Sequence, residues 1–253
     1  MSGEGPVEGV DARIRENLER LAKLMAEAAA RGGRDRDAVR LLAVTKYAEP
    51  KWVRALHRAG VRDFAENTVQ RGVAARESYS DLAGARWHLI GHLQTNKVAR
   101  ALSTFESMHS LDSIRLAREI SAQARRRSLP VPDLYVEVNV AADPRKTGLP
   151  ADGVAGLLET ARAEDLFPDA TTRGGIAGLM AMAPAPAPGE PPGAAESARP
   201  HFRRLRELRD QLVRSGLLPE GAGLSMGMSS DLLVAIEEGA TVVRVGSALF
   251  EGA

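Results

Sequence analysis

Eight short apolar runs, each followed by a stretch with helical spacing, limit most strongly what this chain can fold into. They fall at residues 40–46 (RLLAVTK), 61–66, 87–91 (WHLIG), 107–111, 134–139 (LYVEVN), 175–182 (GIAGLMAM), 222–227 and 241–246 (TVVRVG). Short buried strands alternating with helices pair in parallel through βαβ crossovers. Eight such units close into a barrel, and the 253 residues suit a single domain of that kind. The predicted fold class is therefore α/β, a single (β/α)8 TIM barrel spanning residues 1–253, with an extra helix before the first strand. That helix shows as Val10, Ile14, Leu18, Leu21 and Met25, spaced three and four apart. Pro50 opens the helix after the first strand and Gly60 closes it, while Asp112 and Ser229 are predicted N-caps. Residues 1–8 are expected to be unordered. So is the Pro/Ala-rich insertion at 184–200, which has too few large apolar side chains to order itself.

Composition narrows the function classes. The chain has no cysteine, so disulfides, thiolate catalysis and cysteine metal sites are excluded. His88 and His92 are four apart, but on a strand-to-loop segment, and no metal site is expected. The net charge of +1 makes no case for a nucleic-acid or membrane partner. No apolar run approaches the roughly 18 residues of a membrane span, and the first residues lack a secretory apolar core. The expected location is the cytoplasm, and the expected state a monomer.

Active sites of such barrels form at the C-terminal ends of the strands. Lys46 ends the first run. Burial there would disfavour its ammonium form and free the amine to attack a carbonyl. Arg244 lies on the same face of the last strand as Val242 and Gly246, in apolar company where a charge needs a role or a buried carboxylate such as Glu66 or Glu137. The loop Ser225–Met226–Gly227–Met228–Ser229 and the turn at Gly246 and Ser247 follow the seventh and eighth strands, where barrels often bind phosphate. Strands eight and one are neighbours in a closed barrel, so the amine adjoins the anion site. Asn67 is placed at the mouth after the second strand, and His88 within the third. A ligand with both an aldehyde and a phosphate fits, and pyridoxal 5′-phosphate is the obvious one. Arg244 would face its pyridine nitrogen and restrain carbanion chemistry. A Schiff-base aldolase acting on a phosphosugar would use the same lysine and cup, without needing that arginine.

Several segments resemble, in order, those of the pyridoxal phosphate homeostasis proteins, whose fold is close to the N-terminal barrel of alanine racemase. LLAVTK resembles that family's cofactor-lysine strand, FAENTVQ its FGENYVQ and WHLIGHLQTNK its WHFIGHLQSNK. MHSLDS, VEVNVAADPRKTG, GLMAM, LSMGMSSD and TVVRVGSALF follow. The resemblance runs from about Ile14 to Gly252. It implies a pyridoxal phosphate carrier without robust turnover, in which Lys46 is the Schiff-base lysine and Arg244 the partner of the pyridine nitrogen. By the same resemblance Ser229, Gly246 and Ser247 contact the phosphate and Asn67 and His88 lie near the cofactor, with Ser225 and Met226 of the preceding loop also counted as cofactor-binding. Cofactor-free pyridoxal-phosphate enzymes would be its transient acceptors. The alternative implied is a racemase-like enzyme. Ala65, Thr68 and Arg71 depart from the family's Gly, Tyr and Glu and alter the mouth beside Asn67.

Overall fold

The structure, a computed structural model, describes residues 5–143, 145–167, 174–184 and 195–253. Helix α1 (Gly5–Arg31) comes first. The barrel follows as β1 (Arg40–Val44), α2 (Pro50–Arg58), β2 (Asp63–Glu66), α3 (Val69–Ser78), β3 (Arg86–Leu89), α4 (Val98–Leu102), β4 (Ser107–Leu111) and α5 (Ile114–Arg127). Its second half is β5 (Asp133–Glu137), α6 (Gly153–Ala163), β6 (Gly175–Met180), α7 (Ala195–Arg214), β7 (Gly223–Ser225), α8 (Leu232–Glu237) and β8 (Val242–Val245). Every strand pairs in parallel with the next, and β8 closes on β1, with Leu42 opposite Arg244. The predicted single (β/α)8 barrel with an added N-terminal helix is thus the observed fold.

Except for β4, which spans its predicted run, the strands are shorter than their apolar runs. β1 ends at Val44, although the Thr45 N–H still reaches the Ala65 carbonyl at 3.1 Å, so Lys46 stands just past the ladder. β6 ends at Met180 rather than Met182, and β7 keeps only three residues, with Met226 and Gly227 in the loop beyond it. Gly227 has φ +95, a conformation open to glycine, and a Cβ there would lie 2.5 Å from that of Ala235.

Pro50 does occupy the first turn of α2, and Gly60 (φ +96) follows its end. Two caps differ from expectation. Ser113, not Asp112, caps α5, its hydroxyl accepting the Leu116 N–H at 3.3 Å. Asp231, not Ser229, precedes α8. Its carboxylate takes the Met228 N–H at 2.6 Å, which closes the loop before the helix starts. Local composition offers several cap donors within three residues, and packing selects among them.

Helix α1 is described from Gly5, so it enters the stretch expected to be unordered. Likewise α7 starts at Ala195 and takes in Pro200, inside the segment 184–200 expected to be loose. The cause is tertiary. Ala198 and Phe202 are buried, and Arg199 pairs with Glu237 at 2.6 Å and Glu238 at 3.3 Å. Residues 185–194 of that expectation lie outside the described residues.

The main core lies between the helices and the outer face of the barrel, and it includes Ile14, Leu21 and Met25 of α1. Asn17 of α1 donates to the carbonyls of Leu249 (3.1 Å) and Glu251 (3.0 Å), tying down the chain after β8. Inside the barrel the apolar cluster is small: Leu42, Ala65, Tyr135, Met180 and Val242. Much of the remaining interior is polar, with His88, Ser107, His109, Ser225 and Arg244 all buried.

Candidate cofactor site

A cavity of about 800 Å³ opens at the C-terminal ends of the strands. Six residues singled out from sequence line it: Lys46 after β1, Asn67 after β2, Arg244 on β8, Ser229 after β7, and Gly246 and Ser247 after β8. The closed topology brings them together, because the β1 and β8 ends are adjacent.

Arg244 is 4% exposed and makes no carboxylate contact among the described residues. One terminal nitrogen donates to the Ser225 carbonyl (2.8 Å) and hydroxyl (2.7 Å), and the other to the Ala181 carbonyl (3.0 Å). Glu66 and Glu137, the carboxylates expected as its alternative partners, are otherwise engaged. Glu66 takes the Thr45 hydroxyl at 2.7 Å and Arg71 at 3.0 Å, and Glu137 takes the Thr147 hydroxyl at 2.5 Å. Burial pulls the Arg244 guanidinium down to about 10, against the opposing charges of Asp231 and Glu137. It therefore stays cationic at neutral pH. Among the described residues its Nε–H has no acceptor, and the side chain lines the cavity. A buried cation with an unused donor at a cavity wall is suited to a ligand that brings its own acceptor.

Lys46 is half-buried, its Nζ 5.1 Å from the centre of the Tyr47 ring. Its backbone is held from α3, where Arg71 donates to the Lys46 carbonyl while its Nε is bonded to Glu66. Arg71, one of the departures at the mouth, thus clamps the turn that carries the amine. Tyr47, Met182 and Met228 are exposed large apolar side chains, and all three line this cavity. Trp52 of α2 also lines it, stacked on Phe250 with ring centres 5.3 Å apart. The indole N–H of Trp52 is buried without a partner among the described residues.

At the anion end, the N–H groups of Ser229 and Ser230 have no acceptor among the described residues. Ser247 opens a single 3-10 turn, whose first N–H groups find no partner within the turn. Since α8 has only six residues, the loop amides and hydroxyls, not a long helix dipole, make this end attractive to an anion.

Three sequence candidates do not line this cavity. Ser225 is fully buried beneath Arg244 and serves as its acceptor, and Met226 is a fully buried core residue. His88 lies towards the opposite mouth, where it lines a second cavity of about 560 Å³ with Arg40, Arg86 and Asp133. It bonds to Asp63 and Ser107. Strand alternation turns it into the barrel, but the residue's height along the axis is a tertiary property.

Sequence reasoning missed Trp52 and Gly91 at the site, and it placed Arg71 at the mouth without its contact to the Lys46 turn. Gly91 had a readable signal, as the glycine ending an apolar run. A Cβ there would lie 2.0 Å from the Asn67 carbonyl oxygen. Gly91→Ala is expected to force the Asn67 turn aside and cost about 1–3 kcal/mol of overpacking strain. Urea unfolding measures this, and an unchanged midpoint would show that the close approach is not obligatory.

The alanine racemase N-terminal domain family matches residues 11–253. A protein of Aquifex aeolicus named pyridoxal phosphate homeostasis protein is 38% identical, with 93% of this chain and 96% of the relative aligned. One of the same name from Pseudomonas aeruginosa is 38% identical, with 94% of each aligned. The chain belongs to the pyridoxal phosphate homeostasis family. Among solved structures, PipY of Synechococcus elongatus without pyridoxal phosphate superposes with a TM-score of 0.78 at 32% identity, covering 94% of this chain and 99% of that one. PipY with pyridoxal phosphate bound gives 0.75 at 30%, with the same shares covered. Alanine racemase of Corynebacterium glutamicum shares the barrel at 14% identity, and this chain covers 60% of its length. No helix among the described residues is long and apolar enough to cross a membrane.

Proposed function

We propose that this family member binds pyridoxal 5′-phosphate in the cavity at the strand ends, holds it covalently through Nζ of Lys46, and acts in keeping and handing on the cofactor. The observation that carries this reading is the pairing in one cavity of an amine just after β1 with a buried guanidinium on β8 that meets no carboxylate among the described residues. A volume of about 800 Å³ suits a small molecule.

The family relatives carry the name of this cofactor, and one has been solved with it bound. The residues present here fit it. Arg244 would donate to the ring nitrogen and keep it unprotonated. Ser229, Gly246 and Ser247 would receive the phosphate, while Met182, Met228 and Tyr47 offer apolar contact to the ring. Ser225 supports Arg244 from below, Asn67 flanks the opening, and Met226 anchors the loop in the core. The chemistry the bound cofactor supplies is a reversible condensation of its aldehyde with an amine, water leaving. This chain's part is to keep the Lys46 turn fixed by Arg71 and the ring nitrogen facing a cation. That second feature disfavours the electron-sink chemistry of turnover. The readings for partner, place and state are transient transfer to cofactor-free pyridoxal-phosphate enzymes, in the cytoplasm, by a monomer.

The purified protein loaded with pyridoxal phosphate is expected to be yellow. Borohydride should bleach it and leave a stable adduct on the peptide containing Lys46. A colourless protein after loading, or an adduct on another lysine, overturns the proposal. Racemisation of a free amino acid at an ordinary enzymatic rate, at least ~1 s⁻¹, would make the chain a catalyst instead.

A further inference from the structure

The barrel interior holds a continuous line of polar atoms that cofactor binding leaves unexplained. It starts at the mouth where the strands begin. Asp63 Oδ1 lies 2.8 Å from His88 Nε2, and His88 Nδ1 lies 2.7 Å from Ser107 Oγ. Ser107 Oγ is 2.7 Å from His109 Nε2, and His109 Nδ1 is 2.7 Å from Ser225 Oγ. Ser225 Oγ takes the Arg244 guanidinium at 2.7 Å. His88, Ser107, His109, Ser225 and Arg244 are each at most 4% exposed. The line therefore runs from β2 through β3, β4 and β7 to β8, joining a carboxylate at one end of the barrel to the guanidinium at the other.

An ionised Asp63 only accepts, so His88 carries hydrogen on Nε2. If His88 has no second proton, its Nδ1 accepts from the Ser107 hydroxyl. Ser107 must then accept from the Nε2–H of His109. His109 Nδ1 in turn accepts from the Ser225 hydroxyl, which leaves the Ser225 oxygen to receive Arg244. Every donor points from guanidinium to carboxylate. The opposite order needs a doubly protonated His88, and it leaves the Ser225 hydroxyl hydrogen without an acceptor among the described residues. His109 is also faced by Arg40 of β1 and stacked on Tyr135 of β5, with ring centres 4.4 Å apart. Burial first, helped by the positive charges of Arg244 and Arg40, holds His109 well below the ordinary imidazole range, so it is neutral.

We propose that His109 is a positioning residue for Arg244. It fixes the Ser225 hydroxyl as an acceptor aimed at the guanidinium, so that the Nε–H, one of the Arg244 donors without an acceptor among the described residues, is held at the cavity wall. The assignment of that donor to a pyridine ring rests on the cofactor reading above, but the alignment of the relay does not. A carboxylate some distance below thus sets the hydrogen-bonding sense of the cavity floor.

The test uses the full chain, first without cofactor. Long-range ¹H–¹⁵N spectra of histidine-labelled protein are expected to show His109 neutral with hydrogen on Nε2 from pH 6 to 8. Arg244 guanidinium hydrogens are expected to exchange slowly. His109→Leu removes the acceptor beside Ser225, whereas His109→Asn can keep one through its side-chain carbonyl. Arg244 exchange should quicken at least tenfold in His109→Leu and less than threefold in His109→Asn. With pyridoxal phosphate added, the leucine variant should also move the pH midpoint of the bound-cofactor absorption, and the asparagine variant should restore it. A His109 carrying hydrogen on Nδ1, or a folded leucine variant with unchanged Arg244 exchange, overturns the proposal. If the leucine variant does not fold, Ser107→Ala, which cuts the next link, takes its place under the same criteria. A protein that shows the expected tautomer and exchange yet takes up no pyridoxal phosphate would sink the cofactor reading and leave the relay standing.

Discussion

Lys46→Ala is expected to abolish covalent retention of pyridoxal phosphate. No other cavity-lining residue named above offers an amine, so borohydride should leave no adduct at this site. The anion end and Arg244 remain, so weak reversible binding should persist, with affinity down by at least about 100-fold, or ~2.7 kcal/mol. Folding should be nearly untouched. Lys46 Nζ makes no ion pair among the described residues, its polar contact being the Tyr47 ring face at 5.1 Å, and such positions usually cost within about 0.5 kcal/mol. Absorbance of gel-filtered protein and a parallel urea melt together measure both outcomes. A variant that still carries a borohydride-stable adduct would move the attachment point elsewhere.

Asp63→Leu should be the most destabilising single change at the opposite end of the barrel. Asp63 accepts from buried His88 at 2.8 Å and, through both oxygens, from Arg86 at 2.8 and 2.7 Å. Burial alone would raise its carboxyl, but the hydrogen bonds from His88 and Arg86 outweigh it and hold the group well below the usual carboxylate range. Arg86 is half-exposed and contributes little. Stranding the His88 N–H in the interior is the larger cost, and a total of about 3 kcal/mol is expected. The pH dependence follows from the direction of the shift. A carboxyl depressed in the folded state adds stability that is fully present above about pH 4, where the unfolded group is already ionised, and that is lost as pH falls towards the folded value. The stability gap between parent and variant should therefore be flat from pH 5 to 8 and narrow steadily below 4. Subtracting the variant also cancels Glu137 and Asp231, whose carboxyls burial pushes up, so that they act in the opposite sense. Chemical unfolding across that range checks it. A gap that widens in acid would mean the Asp63 bonds do not favour its ionised form.

The closed barrel, the order of its strands and the location of the site at their C-terminal ends were readable from the chain alone. Apolar runs of strand length alternating with helical spacing admit few other solutions, and in a closed sheet the first and last strands must touch. That adjacency by itself puts Lys46 beside Arg244 and the turn at Gly246 and Ser247. The helical start at Ala195, the caps at Ser113 and Asp231, and the removal of His88 to the opposite mouth were not readable. Each depends on which distant side chain arrives at the right height: Glu237 and Glu238 for Arg199, Asp63 and Ser107 for His88. The same holds for the polar line through the interior, whose six members come from five strands and meet only when the barrel closes. Local periodicity records which face of a strand is inward. It carries no record of register along the barrel axis, and it is register that turns scattered histidines, serines and an arginine into one hydrogen-bonded path.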